Sequence, residues 1–444
     1  MGLGLLGRGV GDAAYIAAAG AAEVIVTDLK DETTLADSVS QLRDFANVRL
    51  VLGEHRLADF QNVDLVLVAA GVPEQSPYLA AARQAGVRLY QSAALFAKLS
   101  GVPIIGVTGT RGKSTVTHMI HHVLTMVTGE TVLLGGNVRG VSNLQLLREV
   151  QDNSLCVMEL DSWQLQGFGW AGISPQVAVF TNFMEDHLNY YHVGGRSYDE
   201  AMAAYFADKA NIFRYQAESG VFVTTPAVFA QAQDFARNAG ITLGQEVVLA
   251  DVSVLPEDML LAVPGEHNRQ NAALAYEALK ALDLPDEEIF EALTTFPGVP
   301  GRLQYIGATE AGARVYNDNN ATTPTATMAG IEAVANHKNV VLIAGGSYKE
   351  VDPAPLVPLI EQYVKNLVLI PGTGTDRLVA RLQANSSVNW TIVETLKEAV
   401  ESTVAQAEAG DVILFSPGFA SFGLFTNEYE RNDVFMREMV PRLA

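Results

Sequence analysis

Short β-branched bursts bounded by glycine and proline recur along the chain, and stretches with helical spacing follow many of them. VPIIGV (102–107) reads as a buried strand, since so short an apolar run with Gly and Pro at its ends suits a strand covered on both faces. Ser114 to Val127 reads as a helix, with apolar residues at Val116, Met119, Ile120, Val123 and Val127. Upstream, EVIVTDLK (23–30) and VDLVLVAAGVP (63–73) are further strands, the first ending at Asp28 and the second in a glycine turn. SLCVMELDSWQLQ (154–166) and PQVAVFTNFMEDHLNYY (175–191) each run from an apolar strand into an acidic end. PGEHNRQNAALAYEALKAL (264–282) is a turn followed by a helix. FPGVPGRLQ (296–304) has the Pro/Gly content of a linker. Beyond it VVLIAG, LVLIPG and DVILFSPG alternate with helical stretches.

Two glycine turns give these elements a chemistry. MGLGLLGRGVG has Gly2, Gly4 and Gly7 in G-x-G-x-x-G spacing, followed by helix and strand, as in a βαβ nucleotide-binding unit. No strand precedes this turn in the sequence, so either the sequence is a shortened one or the first sheet lacks its usual first strand. The second turn is GVTGTRGKSTVTH (106–118), between strand and helix. Gly109 and Gly112 let the N–H groups of the loop, Thr110 and Arg111 included, turn toward phosphate oxygens. Lys113 reaches the terminal phosphates, and Ser114 or Thr115 suits a magnesium ion. The general G-x-x-x-x-G-K-[ST] pattern is not met, because Val107 stands at its first position. A bare glycine turn with an exposed lysine is the plain alternative, but G-K-S-T at a strand-to-helix junction points to a nucleoside triphosphate. The fold class expected is α/β with three consecutive domains: a Rossmann-like unit at 1–100, a central P-loop ATPase-like sheet at 101–297 and a Rossmann-like unit at 298–444.

Composition narrows the partners. A chain of 444 residues, 49% hydrophobic and 18% charged, is globular and longer than one ordinary core. Its formal charge of −21 argues against nucleic acid and against adhesion to anionic membranes, both of which need basic surfaces. No apolar run reaches the ~18 residues needed to span a bilayer, and no secretory leader is recognised, so neither membrane insertion nor export is expected. The lone Cys156 excludes an internal disulfide and suits a reducing, cytoplasmic setting; within SLCVMEL it is expected to be buried.

Ligands of α/β sheets gather at the carboxyl ends of strands, so Glu159, Asp161, Glu185, Asp186 and His187 are candidates to converge near the phosphate loop. Glu159 has the oxygen donors magnesium prefers; His187 is a less usual ligand. His118, His121 and His122 share a helix face, but without a further ligand beside them packing is the better reading. Lys209 reads as a surface lysine, and Asn268 and Asn271 as caps or readers of a nucleobase edge. Arg302, after the Pro/Gly stretch, could meet phosphates.

Taken in order, these motifs resemble those of the Mur ligases, ATP-dependent amide-bond ligases of peptidoglycan synthesis. The resemblance runs through GLGLLG, TGTRGKST, GGNVRG, MELDSWQL, TNFMEDHLNYY, YFADKANIF, GEHNRQNAALA, GVPGRLQ, YNDNNATTP, AGGSYKEVD and SPGFASFGLF. It implies ATP and Mg²⁺ as cofactors. It implies phosphorylation of a carboxylate on a UDP-linked muramoyl substrate, then attack by an amino acid's amine on the acyl phosphate. The glycine-turn N-terminal domain and the length favour the branch that joins D-glutamate to UDP-N-acetylmuramoyl-L-alanine. By the same resemblance, Lys113, His187 and Lys209 are catalytic, and Ser114, Glu159, His187 and a carbamylated Lys209 hold metal. Gly109, Thr110, Arg111, Gly112, Lys113, Ser114, Thr115, Asn268, Asn271, Arg302 and Asp318 are on the ATP side. Gly4, Leu5, Leu6, Asp28, Gly71, Asn137, Asp161 and Gln164 face the UDP-linked substrate, and Asn320, Thr322, Lys349, Ser421 and Phe422 the amino acid. A monomer is expected.

Some positions depart from the family's pattern. Asp161 stands where a substrate-facing serine is usual, Asn320 where a lysine is, and Leu29 where a hydroxyl residue faces uracil. Glu428, near Asn427, replaces an aromatic residue. The altered amino-acid side leaves L-glutamate or another amino acid as alternatives. An NAD-dependent oxidoreductase built on the first glycine turn does not account for G-K-S-T, Glu159 and His187. A non-catalytic UDP-sugar sensor does not account for an intact Lys113 and Lys209.

Overall fold

In this computed structural model the residues described are 1–4, 7–192, 195–349, 351–385 and 388–444. The chain forms two compact units, one of Met1–Glu257 with Gln270–Leu293 and one of Asp258–Arg269 with Thr294–Ala444.

The first unit holds a parallel six-stranded sheet and two parallel strand pairs. The pairs are β1 (Val24–Asp28) with β2 (Val48–Leu52), and β3 (Leu65–Leu67) with β4 (Arg88–Tyr90). Between them run the first residues of the chain: the Met1 amino group donates to Leu67 O (2.9 Å), Ala69 N to Met1 O (3.0 Å) and Gly2 N to Thr27 O (2.8 Å). These first residues thus hydrogen-bond to both pairs. The helix Arg8–Ala18 follows the glycine turn, and its Asp12 carboxylate accepts from Ser142 Oγ (2.6 Å) and Leu144 N (3.1 Å). That buried contact ties the glycine-turn helix to the large sheet, and burial raises the Asp12 pKa.

The large sheet contains β5 (Ile104–Thr108), β6 (Val132–Gly136), β7 (Leu155–Glu159), β8 (Val177–Phe180), β9 (Val221–Thr224) and β10 (Glu246–Leu249), in the order β10-β9-β8-β5-β7-β6. β5, the strand carrying the phosphate loop, lies between β7 and β8, so the loops after three neighbouring strands open on the same end. All five residues of β5 are buried, as expected of a parallel strand covered on both faces. Phe168, Phe180, Phe206 and Phe222 pack in one core with Cys156, whose thiol pKa is pushed up by burial.

The second unit holds β11 (Gln304–Ala308), β12 (Arg314–Asn317), β13 (Val340–Gly345), β14 (Val364–Ile370), β15 (Trp390–Ile392) and β16 (Val412–Phe415), ordered β11-β12-β16-β13-β14-β15. Only β11 is antiparallel to its neighbour. β12, β16 and β13 are adjacent and parallel, which again sets three loops side by side. Phe415, Phe435, Ile343 and Val368 form the core. The Pro/Gly stretch 296–304 belongs to this unit: Phe296 and Val299 are buried, and Leu303 N donates to Asp318 Oδ1 (3.0 Å). Among the described residues no helix is long and apolar enough to cross a membrane.

Gly136 ends β6 with φ 83°, and a Cβ there would lie 2.0 Å from Glu159 O, a backbone atom that cannot yield. Gly136→Ala is expected to lower Tm by roughly 5 °C or more, against only the left-handed backbone cost of about 1–2 kcal/mol for Gly20→Ala. Gly20 has a similar φ of 93° in open space. Equal losses in differential scanning calorimetry would show that the close approach is unimportant.

Candidate active site

The phosphate loop is held from beneath by the segment after β8. Thr110 N donates to Asn182 O (2.9 Å), Arg111 N to Asn182 Oδ1 (2.8 Å) and Thr181 Oγ1 to Arg111 O (2.5 Å). Thr110 Oγ1 donates to Met184 O (3.2 Å) and accepts from Met184 N (3.0 Å). Gly109 (φ 143°) touches this segment so closely that a Cβ would lie 1.9 Å from Thr181 Oγ1. Gly112, at φ 80°, is the N-cap of the helix Lys113–Val127 and makes no side-chain cap bond, which leaves the helix start to the loop. Asn271 Oδ1 comes within 2.5 Å of where a Gly112 Cβ would be, so Asn271 borders the loop. Lys113 Nζ donates to Gly109 O (3.0 Å) and Thr110 O (3.1 Å). Ser114 and Thr115 fill the first turn of this helix. The three histidines each have a backbone partner: His118 with Ser114 O, His121 with Val132 O and His122 with Ala292.

Lys209 is not a surface lysine. It ends the helix Tyr198–Ala210, is 1% exposed, and its Nζ donates to Gly109 O (2.7 Å) under the phosphate loop. Burial, and then the positive charge of Lys113, lower its pKa to about 7. Its neighbour Asp208 accepts from Gln166 Nε2 (2.7 Å) and Tyr191 OH (2.9 Å), and burial raises that carboxyl to about 6. Glu159 is buried at the end of β7 and makes no ion pair among the described residues. His187 sits in a left-handed conformation (φ 54°), against Trp163 (4.9 Å between ring centroids) and Tyr205 (6.0 Å). A non-glycine residue held there carries strain that the surrounding packing must offset, a feature common at functional sites. Burial lowers its pKa. Arg111 pairs with Asp186 (3.2 Å), while Glu185 Oε2 accepts from Tyr198 OH (3.1 Å).

On the side toward the first glycine turn, Asp28 accepts from Gly4 N (3.1 Å) and Lys30 N (2.9 Å), which orders the turn. Leu5 and Leu6 lie outside the described residues. Leu29 is 65% exposed. Asn137 N donates to Glu159 O (2.7 Å), and its Oδ1 accepts from Arg8 Nη1 (2.5 Å). Arg8 was not singled out from the sequence, although it directly follows the G-x-G-x-x-G turn. A cation on the first turn of a helix opposes the helix dipole, so its placement there is not explained by helix stability. Gly71 (φ 87°) packs on the Trp163 ring. Asp161 and Gln164 form a capping box: Asp161 Oδ1 accepts from Gln164 N (2.8 Å) and Gln164 Oε1 from Asp161 N (3.4 Å). The unusual Asp161 therefore has a local structural use.

In the second unit, the loops after β12, β13 and β16 carry Asp318 to Thr322, Ser347 to Lys349, and Gly418 to Phe422. The loops are laced together by Gly418 N→Ala321 O (2.8 Å) and by the paired bonds of Ser347 and Ala420. Lys349 Nζ donates to Thr322 Oγ1 (3.0 Å), Ser421 is buried, and Phe422 is 60% exposed. Asn320 Nδ2 donates to Pro300 O (3.4 Å). Asp318 is buried and accepts from Ser416 Oγ (2.8 Å) and Leu303 N, with its pKa pushed up to about 7 by burial. Arg302 is exposed, and its charge acts on Asp318. Asn268, also in this unit, donates through Nδ2 to Pro264 O (2.8 Å). Glu428, where an aromatic residue was expected, opens the helix Glu428–Met439 behind the cap made by Asn427.

Phosphate loop, buried lysine and acidic strand end on one parallel sheet define a nucleoside-triphosphate-using α/β protein. Two family signatures match: the Mur ligase middle domain over residues 107–279, and the Mur ligase glutamate ligase domain over residues 301–419. The chain is 35% identical to the UDP-N-acetylmuramoylalanine–D-glutamate ligase of Roseiflexus sp. (strain RS-1), covering 98% of this chain and 97% of that protein. It is 31% identical to the enzyme of the same name from Borreliella burgdorferi (strain ATCC 35210 / DSM 4680 / CIP 102532 / B31), covering 97% and 94%. The chain belongs to the Mur ligase family, whose members are ATP-dependent amide-bond ligases, and stands with the MurD relatives. MurF from Acinetobacter baumannii (18% identity, TM-score 0.60, 95% of this chain and 92% of that one) has a similar fold. So does MurC from Thermotoga maritima (18% identity, TM-score 0.56, 94% and 99%).

The buried lysine makes a pH-dependent prediction. Its folded pKa of about 7 lies below the unfolded 10.5, so between these values the unfolded chain holds a proton the folded chain has released. Stability from this group therefore rises with pH across that window and is lost as pH falls through 7. In CO₂-free buffer, the Tm of Lys209→Met relative to wild type should be most favourable near pH 6 and decline toward pH 10. A difference independent of pH would return Lys209 to an ordinary environment.

Proposed function

We propose that this chain joins D-glutamate to UDP-N-acetylmuramoyl-L-alanine at the expense of ATP, in the cytoplasm, as a step of peptidoglycan precursor synthesis. The observation that supports it most is Lys209 buried against the phosphate loop with a pKa near neutrality, where its amine is available as a free base. The amine reacts with CO₂ only when unprotonated, and the resulting carbamate would turn a buried cation into an oxygen ligand.

The residues present suit magnesium. Among the described residues no three His, Cys, Asp or Glu side chains form a metal cluster. Mg²⁺ does not require one, since it usually binds through one or two protein oxygens together with waters and substrate phosphates. Glu159, buried and without an ion pair among the described residues, and the Ser114 hydroxyl on the first turn of the loop helix would hold it, with His187 and a carbamylated Lys209 alongside. Bound there, the ion would neutralise charge on the phosphates during transfer.

The chain's own groups account for the remainder. The loop amides and Lys113 hold the β- and γ-phosphates, and Lys113 stabilises charge on the transferring group. Asn271 borders the loop on the nucleotide side, with Asn268, Arg302 and Asp318 assigned to the same ligand. The glycine turn, Asp28, Gly71 and Asn137 hold the UDP-linked substrate, and Arg8 on Asn137 offers its diphosphate a cation. Transfer of the γ-phosphoryl group to the alanyl carboxylate gives an acyl phosphate and ADP. The amine of the amino acid then adds to the carbonyl, phosphate leaves with the C–O bond electrons, and the amine proton passes to solvent. The loops with Asn320, Thr322, Lys349, Ser421 and Phe422 receive the amino acid.

Phosphate release measured with ATP, the UDP-linked substrate and a panel of amino acids tests this reading. Release is expected with D-glutamate and not with L-glutamate or neutral residues; release with another amino acid alone would overturn the assignment. Lys113→Ala should lose roughly 10²-fold or more in kcat with the fold intact, and near wild-type turnover would sink the loop assignment.

A further inference from the structure

Arg431, on the helix Glu428–Met439, is fully buried, yet its three hydrogen bonds all go to neutral oxygens. Nε donates to Asn319 Oδ1 (2.8 Å), Nη2 to Asn319 O (2.8 Å) and Nη1 to Phe419 O (3.0 Å). Asn319 is itself fully buried. Its Nδ2 donates to Glu428 O (2.8 Å) and to Asn320 Oδ1 (3.2 Å), and its N donates to Asn317 Oδ1 (3.1 Å). One guanidinium therefore joins the loop after β12 to the loop after β16, and through Asn319 sets the side chain of Asn320. The loop after β13 is bound to the same set by the Ser347–Ala420 bridge.

Removing a cation from water is costly unless charge or hydrogen bonds compensate for it. Here hydrogen bonds are supplied, but among the described residues no carboxylate forms an ion pair with it; the charge of Glu428 acts on it and raises its pKa. Burial lowers the guanidinium pKa only to about 10, so the charge persists at neutral pH. A buried positive charge in a low-dielectric setting extends its potential to the loops around it. Asn320, next to the tie, occupies a position where relatives of the family were expected to carry a lysine.

Resting on the proposed function, we infer that Arg431 is the positioning residue of the amino-acid site, and that its buried charge helps select an acidic amino acid where Asn320 provides none. It does not touch the substrate. It holds Asn320 through Asn319, ties that loop to Phe419 in the loop of Ser421, and contributes the positive potential that complements a dicarboxylate, together with Lys349.

The test uses Arg431→Lys and Asn319→Asp in the full chain, with KM determined separately for ATP, the UDP-linked substrate and D-glutamate. Lysine cannot reproduce the divergent bonds of a guanidinium. Aspartate keeps the acceptor for Nε but neutralises the cation and removes the tie to Asn320. Both variants are expected to raise KM for D-glutamate about tenfold or more while the other two KM values stay within about twofold. In Asn319→Asp the preference for D-glutamate over D-glutamine should also fall about tenfold. A folded variant in which all three KM values move together, or in which KM for D-glutamate is unchanged, would overturn the inference. If Arg431→Lys does not fold, Asn319→Asp decides alone. Wild-type protein that releases phosphate with a neutral amino acid and not with glutamate would overturn the proposed function and the charge-selection claim together. Wild-type activity on D-glutamate with unresponsive variants would overturn only the role of Arg431.

Discussion

The backbone of Gly109 lies against Thr181, and the nucleotide end of the first unit depends on that approach. No side chain fits between them, so the phosphate loop and the segment after β8 pack backbone to side chain and exchange the hydrogen bonds of Thr110, Arg111, Thr181, Asn182 and Met184. The same carbonyl, Gly109 O, accepts from both Lys113 and Lys209. Two amines on one oxygen in a buried place repel each other, and burial compounds the effect. One of them therefore tends to release its proton, and the fully buried one, Lys209, is the candidate.

Buried ionisable side chains recur where loops of this protein are held together. Asp12 joins the glycine-turn helix to the large sheet, Asp208 orients Gln166 and Tyr191 beside Lys209, Asp318 holds Leu303 to β16, and Arg431 holds two loops of the second unit. Each group is hydrogen-bonded, in keeping with the cost of an unsatisfied polar atom in the interior. Such networks are rigid because losing any one member leaves its partners stranded. Loops at the ends of parallel strands are otherwise the easiest parts of an α/β sheet to move. Buried polar ties are therefore a direct way to hold them at the spacing a reaction needs.

Much of this was legible in the residues alone. The strand-to-helix junction at G-K-S-T, the carboxylate at the end of MEL and the imidazole of MEDH follow from periodicity and from the rule that ligands gather at strand ends. The α/β class followed from alternation, and both large sheets have the expected character. Less was legible where a residue's role depends on what lies across from it. Lys209 reads as a surface lysine on an alanine-rich helix, yet the helix sets it under the phosphate loop. Asp161, expected to face the substrate, also caps its own helix. Arg8 and Arg431 carry no local signal, because their partners Asn137 and Asn319 lie 129 and 112 residues away.

The sequence by itself determined the elements, the phosphate loop and the family, since these depend on short-range spacing and on backbone conformations that particular residues favour. Only the tertiary structure decided which charges are buried. Desolvation and Coulomb terms depend on three-dimensional neighbours, and these turned Lys209 into a near-neutral amine and Arg431 into an interior cation.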